Sequence, residues 1–282
     1  MTVFELYKKI TEIFDREKIE DVSLDARLLV EYACNINHGE FLFKRDREAD
    51  ETEIEKVMSY SERRISGEPV QYITGKWEFL DMEFSVGEGV LIPRPETEEL
   101  VMYAAEKIKK MKKAVVFDLC SGSGCIGLSI KNLVPDADVY MIEKSDDALR
   151  FLEKNRIDLG FGNNTVLVQG DILNGYEGFS FLPKPDVIIS NPPYIKTEEI
   201  DTLQKEVRKE PHMALDGGED GYVFYRCLSE KWLPFVNEGG FIAVECGENQ
   251  AVKIASMFSK HSKETEIIKD FNNTERMVYA SK

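Results

Sequence analysis

The 282-residue sequence is poor in basic residues, in cysteine and in histidine. It carries 36 Lys and Arg against 52 Asp and Glu, a formal net charge of −16. A protein that grips a duplex must displace phosphate counterions with lysine and arginine. This chain as a whole repels a polyanion, so a nucleic-acid contact would be confined to a local basic groove. The five cysteines, Cys34, Cys120, Cys125, Cys227 and Cys246, are odd in number and form no CxxC pair. That argues against a disulfide framework and against a structural zinc site. His38, His212 and His261 are scattered without metal-ligand spacing and read as surface or loop residues, so no metal is expected. No run of about 18 apolar residues is present to span a membrane. The charged start, Met1–Lys9, is too polar for a signal peptide. These absences lead us to expect a cytoplasmic protein, a monomer, with no nucleic-acid or membrane partner.

Hydrophobic residues make up 43% of the chain, enough for a buried core. The length suits one catalytic domain with a smaller appendage. Residues 1–75 are expected to form a helical domain. Phe4, Leu6, Ile10 and Ile13–Phe14 recur at helical spacing, and Leu28, Leu29 and Val30 sit in a second helix over Leu24–Cys34. A third helix opens at Asp50, an N-cap residue type, carries Ile54, Val57, Met58 and Ile65, and stops at Gly67. Residues 76–92 are expected to form a linker. Trp77, Phe79, Met82, Phe84 and Val86 lie near period two, which predicts a β-hairpin. The catalytic domain is expected over 93–282, opening with Ile92-Pro93-Arg94-Pro95 and a helix over Glu96–Met111.

From Ala114 the texture alternates. Strand-like runs are Ala114–Leu119, Val139–Ile142, Thr165–Val168, Val187–Ser190 and Phe241–Glu245. Helical runs lie between them, among them Asp146–Leu159 and Gly221–Phe235. Such alternation implies a doubly wound α/β sheet, Rossmann-like in class. Glu264–Asp270 and Thr274–Ala280 read as an antiparallel hairpin at the sheet edge.

Two stretches carry chemistry. The first is the buried strand Val115–Leu119 running into Cys120-Ser121-Gly122-Ser123-Gly124, with Glu143 about 20 residues beyond the turn, where a carboxylate reaches ribose hydroxyls. The glycines let backbone approach a ligand closely. The motif alone is ambiguous between a nicotinamide cofactor and S-adenosylmethionine, and a structural tight turn is the plain alternative. Asp118 and the later Gly170-Asp171-Ile172 tip the reading toward S-adenosylmethionine. Asp171 is placed to accept an adenine amino proton and Ile172 to pack on the ring, although Asp171 also suits a helix N-cap.

The second stretch is Val187-Ile188-Ile189-Ser190-Asn191-Pro192-Pro193-Tyr194, a strand ending abruptly at the carboxyl edge of the sheet. The prolines fix φ and remove backbone donors. An Asn oxygen and a proline carbonyl held side by side can accept both protons of one NH2 group. An amide nitrogen is a poor nucleophile because its lone pair is shared with the carbonyl. Two acceptors on its protons raise electron density at nitrogen and aim it at a sulfonium methyl. We therefore expect Asn191, Pro192 and Tyr194 to be catalytic, and Asn191, Pro192, Pro193 and Tyr194 to bind substrate. Cys120, Ser121, Gly122, Ser123, Gly124, Glu143, Asp171, Ile172 and Asn191 are expected to bind cofactor. A simple turn at Asn-Pro is the plain alternative.

Nearly the whole chain resembles the HemK-type release-factor glutamine N5-methyltransferases. The resemblance is carried by Glu68-Pro69-Val70-Gln71-Tyr72-Ile73-Thr74-Gly75, by Ile92-Pro93-Arg94-Pro95-Glu96-Thr97-Glu98-Glu99-Leu100-Val101, and by Asp118–Gly124. Asn191–Tyr194, Glu210-Pro211 and Ala214-Leu215-Asp216-Gly217-Gly218 also match. It implies an N-terminal helical substrate-docking domain, a hairpin linker and a Rossmann-like methyltransferase domain. The implied substrate is the glutamine of the Gly-Gly-Gln motif of peptide chain release factors. Methylation of a ribosomal-protein glutamine is an alternative, which the Arg-Pro-Glu-Thr-Glu form disfavours. An amino-methyltransferase acting on N6 of adenine in DNA or RNA is a further alternative, disfavoured by charge. By resemblance Glu96, Thr97 and Glu98 lie near the cofactor, while their position at a helix start suits simple capping. Arg94 either supports the active-site loop or pairs with a carboxylate. Cys120-Ser121 stands where the family has Gly-Thr, and Glu143 where Asp is usual.

Overall fold

The computed structural model describes all 282 residues. By packing the chain divides into two units, Met1–Lys76 with Gln204–Lys209, and Trp77–Leu203 with Glu210–Lys282.

The first unit is helical: α1 (Val3–Arg16), α2 (Val22–Ala33), α3 (His38–Lys44), α4 (Glu51–Ile65) and α5 (Val70–Thr74). Thr2 with Glu5, Asn37 with Glu40, and Asp50 with Glu53 form reciprocal capping boxes at three of the starts. The apolar positions of α1, α2 and α4 converge on a core in which Leu6, Ile10, Phe14, Leu29 and Val57 lose all exposure. Two short helices, α3 and α5, were not expected; seven and five residues are too few to display a period. One polar cluster is buried here. Arg64 Nε donates to Asp25 at 2.6 Å and its Nη2 pairs with Glu206. This pairing ties Gln204–Lys209 into the helical unit, although those residues lie within 93–282.

The second unit begins with the expected hairpin, β1 (Lys76–Phe79) and β2 (Met82–Ser85), joined through Leu80 and Asp81, both at positive φ as a tight two-residue turn requires. Helix α6 (Pro95–Ile108) follows, with proline at its first position, where the missing N–H costs nothing. Then come β3 (Val115–Leu119), α7 (Cys125–Leu133), β4 (Asp138–Glu143), α8 (Asp146–Asp158), β5 (Thr165–Gln169) and β6 (Val187–Ser190). After these lie α9 (His212–Leu215), α10 (Val223–Cys227), β7 (Phe241–Glu245), α11 (Ala251–Phe258), β8 (Glu264–Lys269) and β9 (Glu275–Ser281). The seven strands form one sheet in the order β5-β4-β3-β6-β7-β9-β8. The first five are parallel, and β9 runs antiparallel to β7 and β8 at the edge.

Both faces of the sheet are covered. Val116, Val139, Met141, Val187, Ile189 and Ala243 enter one core with α6 and α7. Phe117, Leu119, Ile142, Ile188, Ile242 and Val244 enter the other with α10 and α11. Strand alternation sends neighbours to opposite faces, so a sheet apolar at every position must be buried on both. The helix expected over Gly221–Phe235 is a correction. Only Val223–Cys227 is α-helical; Leu228–Trp232 widens to a π-turn and Leu233–Phe235 tightens to a 3-10 turn. Pro234 cannot donate to an α-helical partner, and its ring crowds the preceding turn.

Candidate active site

From β3 the chain moves one way through β4 and β5. It returns at β6 and moves the other way to β7. The reversal lies between β3 and β6, and open α/β sheets bind ligands at the carboxyl ends of such neighbours. Both chemical stretches leave the sheet there, Cys120 after β3 and Asn191 after β6. Ser190 Oγ donates to the Leu119 carbonyl at 2.6 Å and ties the two strand ends together. A cleft lies above them, lined by Cys120–Ser123, Glu143, Asp171, Ile172 and Asn191.

The turn after β3 alternates into left-handed backbone at Cys120 (φ 62°), Gly122 (54°) and Gly124 (84°). Glycine takes this conformation freely, whereas Cys120 carries a cost of roughly 1–2 kcal/mol. A Cβ placed on Gly122 would meet nothing within 4 Å, so the turn presents bare backbone to open space. Glu143, at the end of β4, clamps the turn. Its Oε2 accepts from Gly122 N at 2.9 Å, and its Oε1 accepts from Lys144 N at 2.8 Å and Ser145 N at 2.7 Å. Below the turn Asp118 is fully buried. Its Oδ2 accepts from Gly127 N at 2.9 Å while Oδ1 has no partner, and burial pushes the carboxyl up to about 7. Ser123 Oγ is also buried without a partner.

Ile172 is buried at the cleft wall, its carbonyl held by the indole N–H of Trp232 at 2.8 Å. Asp171 lines the same wall. It caps the short turn Ile172–Asn174 through Leu173 N at 2.9 Å and pairs with Lys144 Nζ at 2.9 Å. The capping role that the sequence offered as an alternative is therefore present.

Asn191 lines the same cleft as the glycine turn. Its Nδ2 donates to Thr97 Oγ1 at 3.2 Å, and Thr97 Oγ1 donates to Glu245 Oε2 at 2.5 Å. Glu245, the last residue of β7, is buried, which pushes its carboxyl up to about 7. Arg94 pairs with Glu210, and Glu210 Oε2 also accepts from Ile92 N at 3.0 Å, so one carboxylate pins the Ile92–Pro95 loop.

Of the residues expected in the site, Cys120, Ser121, Gly122, Ser123, Glu143, Asp171, Ile172, Asn191 and Pro193 share this one cleft. Gly124, Pro192 and Tyr194 stand outside its lining. Gly124 caps α7 and Pro192 is buried. The Tyr194 ring lies against Gly247, and burial and the nearby Glu245 raise its phenol above the ordinary range. The sequence reading did not find the apolar wall of Leu91, Met213 and Phe224. It also missed Glu245, whose signal is a lone acid at the carboxyl end of an apolar strand.

A family model of the PrmC N-terminal domain matches residues 5–75, and one of the methyltransferase small domain matches 101–231. The catalytic domain of hMettl16, solved with MAT2A 3′UTR hairpin 6, superposes with a TM-score of 0.55 at 11% identity, covering 70% of this chain and 74% of that one. At that identity the likeness establishes the fold alone. A release factor glutamine methyltransferase of Clostridium acetobutylicum is 35% identical over 91% of this chain and 90% of its own. Its counterpart in Caulobacter vibrioides is 36% identical over 98% and 96%, and that of Aquifex aeolicus 30% identical over 99% and 98%. The chain belongs to the release factor glutamine methyltransferase family.

Proposed function

We propose that this protein transfers a methyl group from S-adenosylmethionine to the side-chain amide nitrogen of the Gly-Gly-Gln glutamine of a peptide chain release factor. The observation that carries the reading is the placement of Asn191 in the same cleft as the glycine turn and Glu143, with its NH2 turned to Thr97 and its oxygen therefore turned away.

The residues present fit S-adenosylmethionine. Glu143 keeps one lone pair on Oε2 for a ribose hydroxyl, Ile172 offers an apolar face for a purine, and the open space over Gly122 with the unpartnered Ser123 hydroxyl suits a polar tail. Asp171 already serves Leu173 and Lys144, so an adenine amino group would share it. When bound, the cofactor supplies an electrophilic methyl carbon on a sulfonium. The protein's own part is positional. Asn191 Oδ1 accepts one amide proton of the substrate and draws the nitrogen into line. The stiff Pro192–Pro193 segment keeps that acceptor from swinging, and Met213 and Phe224 give the cleft an apolar side. Acceptors already in place stabilise positive charge as it grows on nitrogen, at no cost of reorganisation.

Mass spectrometry of a release factor incubated with the protein and S-adenosylmethionine tests this. The expected result is one added methyl on the glutamine of Gly-Gly-Gln. A folded, cofactor-loaded protein that leaves that glutamine unmodified would refute the proposed substrate.

A further inference from the structure

The side chain of Asn191 offers two nearly isosteric ends, an oxygen that accepts and an NH2 that donates. A half-turn about the last side-chain bond exchanges them, and only the oxygen can receive a proton from a substrate NH2. The partner on the far side must therefore choose. That partner is the Thr97 hydroxyl, 3.2 Å from Asn191 Nδ2. A hydroxyl both donates and accepts, so Thr97 by itself would tolerate either orientation. Its one proton is committed elsewhere, to Glu245 Oε2 at 2.5 Å. Above its raised value of about 7 the Glu245 carboxylate only accepts. With its proton engaged, Thr97 shows Asn191 lone pairs alone, and these match the NH2.

The setting of Glu245 argues that this is not incidental. Glu245 is 3% exposed at the end of an otherwise apolar strand. Burying a carboxylate costs several kcal/mol unless it is compensated. Arg94 and Arg276 act on it only from a distance, since Arg94 pairs with Glu210 and Arg276 with Asp270 and Glu248. Its side-chain hydrogen bond goes to Thr97. Three elements thus converge on one amide: Thr97 from the first turn of α6, Glu245 from β7, and Asn191 from the end of the neighbouring β6.

We infer that Thr97 and Glu245 are positioning residues for the methyl transfer: Glu245 fixes the Thr97 proton, Thr97 fixes the amide of Asn191, and Oδ1 rather than Nδ2 is thereby presented to the substrate nitrogen. This rests on the proposal that Asn191 Oδ1 accepts from the substrate amide.

The test measures kcat and KM for release-factor methylation, and cofactor Kd, in Asn191→Ala, Thr97→Val, Thr97→Ser, Glu245→Gln and the double variant Thr97→Val with Asn191→Ala. Thr97→Val keeps the shape and removes the hydroxyl, and Glu245→Gln keeps the shape and adds a donor. Each should lower kcat roughly 10- to 100-fold through misorientation, with KM and cofactor Kd changed less than about threefold. Thr97→Ser should recover most of what Thr97→Val loses. The double variant should be no slower than Asn191→Ala alone, because Thr97 acts only through Asn191. Wild-type kcat in Thr97→Val beside a slow Asn191→Ala overturns the inference, as do losses that add in the double variant. If Thr97→Val does not fold, wild-type kcat in Glu245→Gln overturns it instead. Wild-type turnover in Asn191→Ala removes the proposed role of Asn191 itself, and the inference with it.

Discussion

Glu143 does two jobs with one carboxylate. It accepts three backbone N–H groups, from Gly122, Lys144 and Ser145, and it stands at the cleft with one lone pair to spare. The first job holds the glycine turn open, and the second, on the function proposed above, is to accept a cofactor hydroxyl. Glu143→Ala loses both. Hydrogen bonds to a charged group contribute roughly 1.5–3 kcal/mol each, so cofactor affinity should fall at least about tenfold. Calorimetric titration with S-adenosylmethionine reads this directly, and unchanged affinity would remove Glu143 from the cofactor site. That Glu143, the glycine turn and Asn191 share one cleft was legible in the sequence, because each belongs to a short motif at the end of a strand. The partners that orient Asn191 were not. Thr97 and Glu245 are 148 positions apart, and nothing local to either announces the other. Thr97 read equally well as a helix-start residue. The placement of Tyr194 outside the cleft lining was not legible either. A tyrosine beside the reacting group looks like a wall for substrate, but here the chain turns after Pro193 and sends the ring against Gly247.

At the level of elements, the loop after β6 is braced from behind. Ile195 N donates to Leu215 O at 3.0 Å, Gly217 N donates to Ile195 O at 2.7 Å, and Gln250 Nε2 donates to Tyr194 O at 3.0 Å. The Ala214–Gly218 motif therefore acts as a support for Asn191–Tyr194. A Cβ on Gly217 would sit 2.8 Å from the Tyr194 backbone and 3.0 Å from Gly221 Cα, and none of these atoms can rotate away. Gly217→Ala should destabilise the protein by roughly 1–3 kcal/mol and also lower kcat, because the displaced backbone carries Asn191. Gly239→Ala is the control. Gly239 is left-handed at φ 81° with open space around it, so alanine there costs about 1 kcal/mol in backbone strain and should leave kcat alone. Thermal melts and steady-state rates separate the two. Equal kcat in both variants would show that the brace does not reach the site. The strands were read almost residue by residue, because both-face burial makes the central ones, such as β6 and β7, continuous apolar runs. The helix over Gly221–Phe235 failed because apolar content persists through Pro234 while backbone geometry does not.

For the whole molecule, strand order and the capture of Gln204–Lys209 by the helical unit were beyond the reach of the sequence. Both depend on long-range pairing, such as Arg64 with Glu206, that leaves no periodic trace. Class and sheet, by contrast, follow from alternation alone. One global property follows from buried charge. Burial pushes Asp118 and Glu245 each up to about 7, from ordinary values of 3.8 and 4.5. Around Glu245 the neighbouring charges are Glu96, Arg94 and Arg276, with Tyr194 beside them, and Asp118 feels Glu143. Between the unfolded and folded values the native chain keeps protons that the unfolded chain has released. Stability must then fall as pH rises through that window, by up to about 1.4 kcal/mol per pH unit for each group. Carboxylates lowered by cations, such as Glu53 beside Arg47 and Asp220 beside Arg226, work in another window. Their contribution is present above the unfolded value and is lost only as pH falls through the lowered one. The net charge of −16 adds self-repulsion in the same direction as the raised pair when the last acids ionise. The melting temperature should therefore be highest near about pH 5 and decline to about pH 7.5. Glu245→Gln and Asp118→Asn should each flatten that decline. A melting temperature that climbs across this window would mean that Asp118 and Glu245 are ionised in the native protein at acid pH. Burial would then have been outweighed by partners stronger than the Gly127 N–H and the Thr97 hydroxyl.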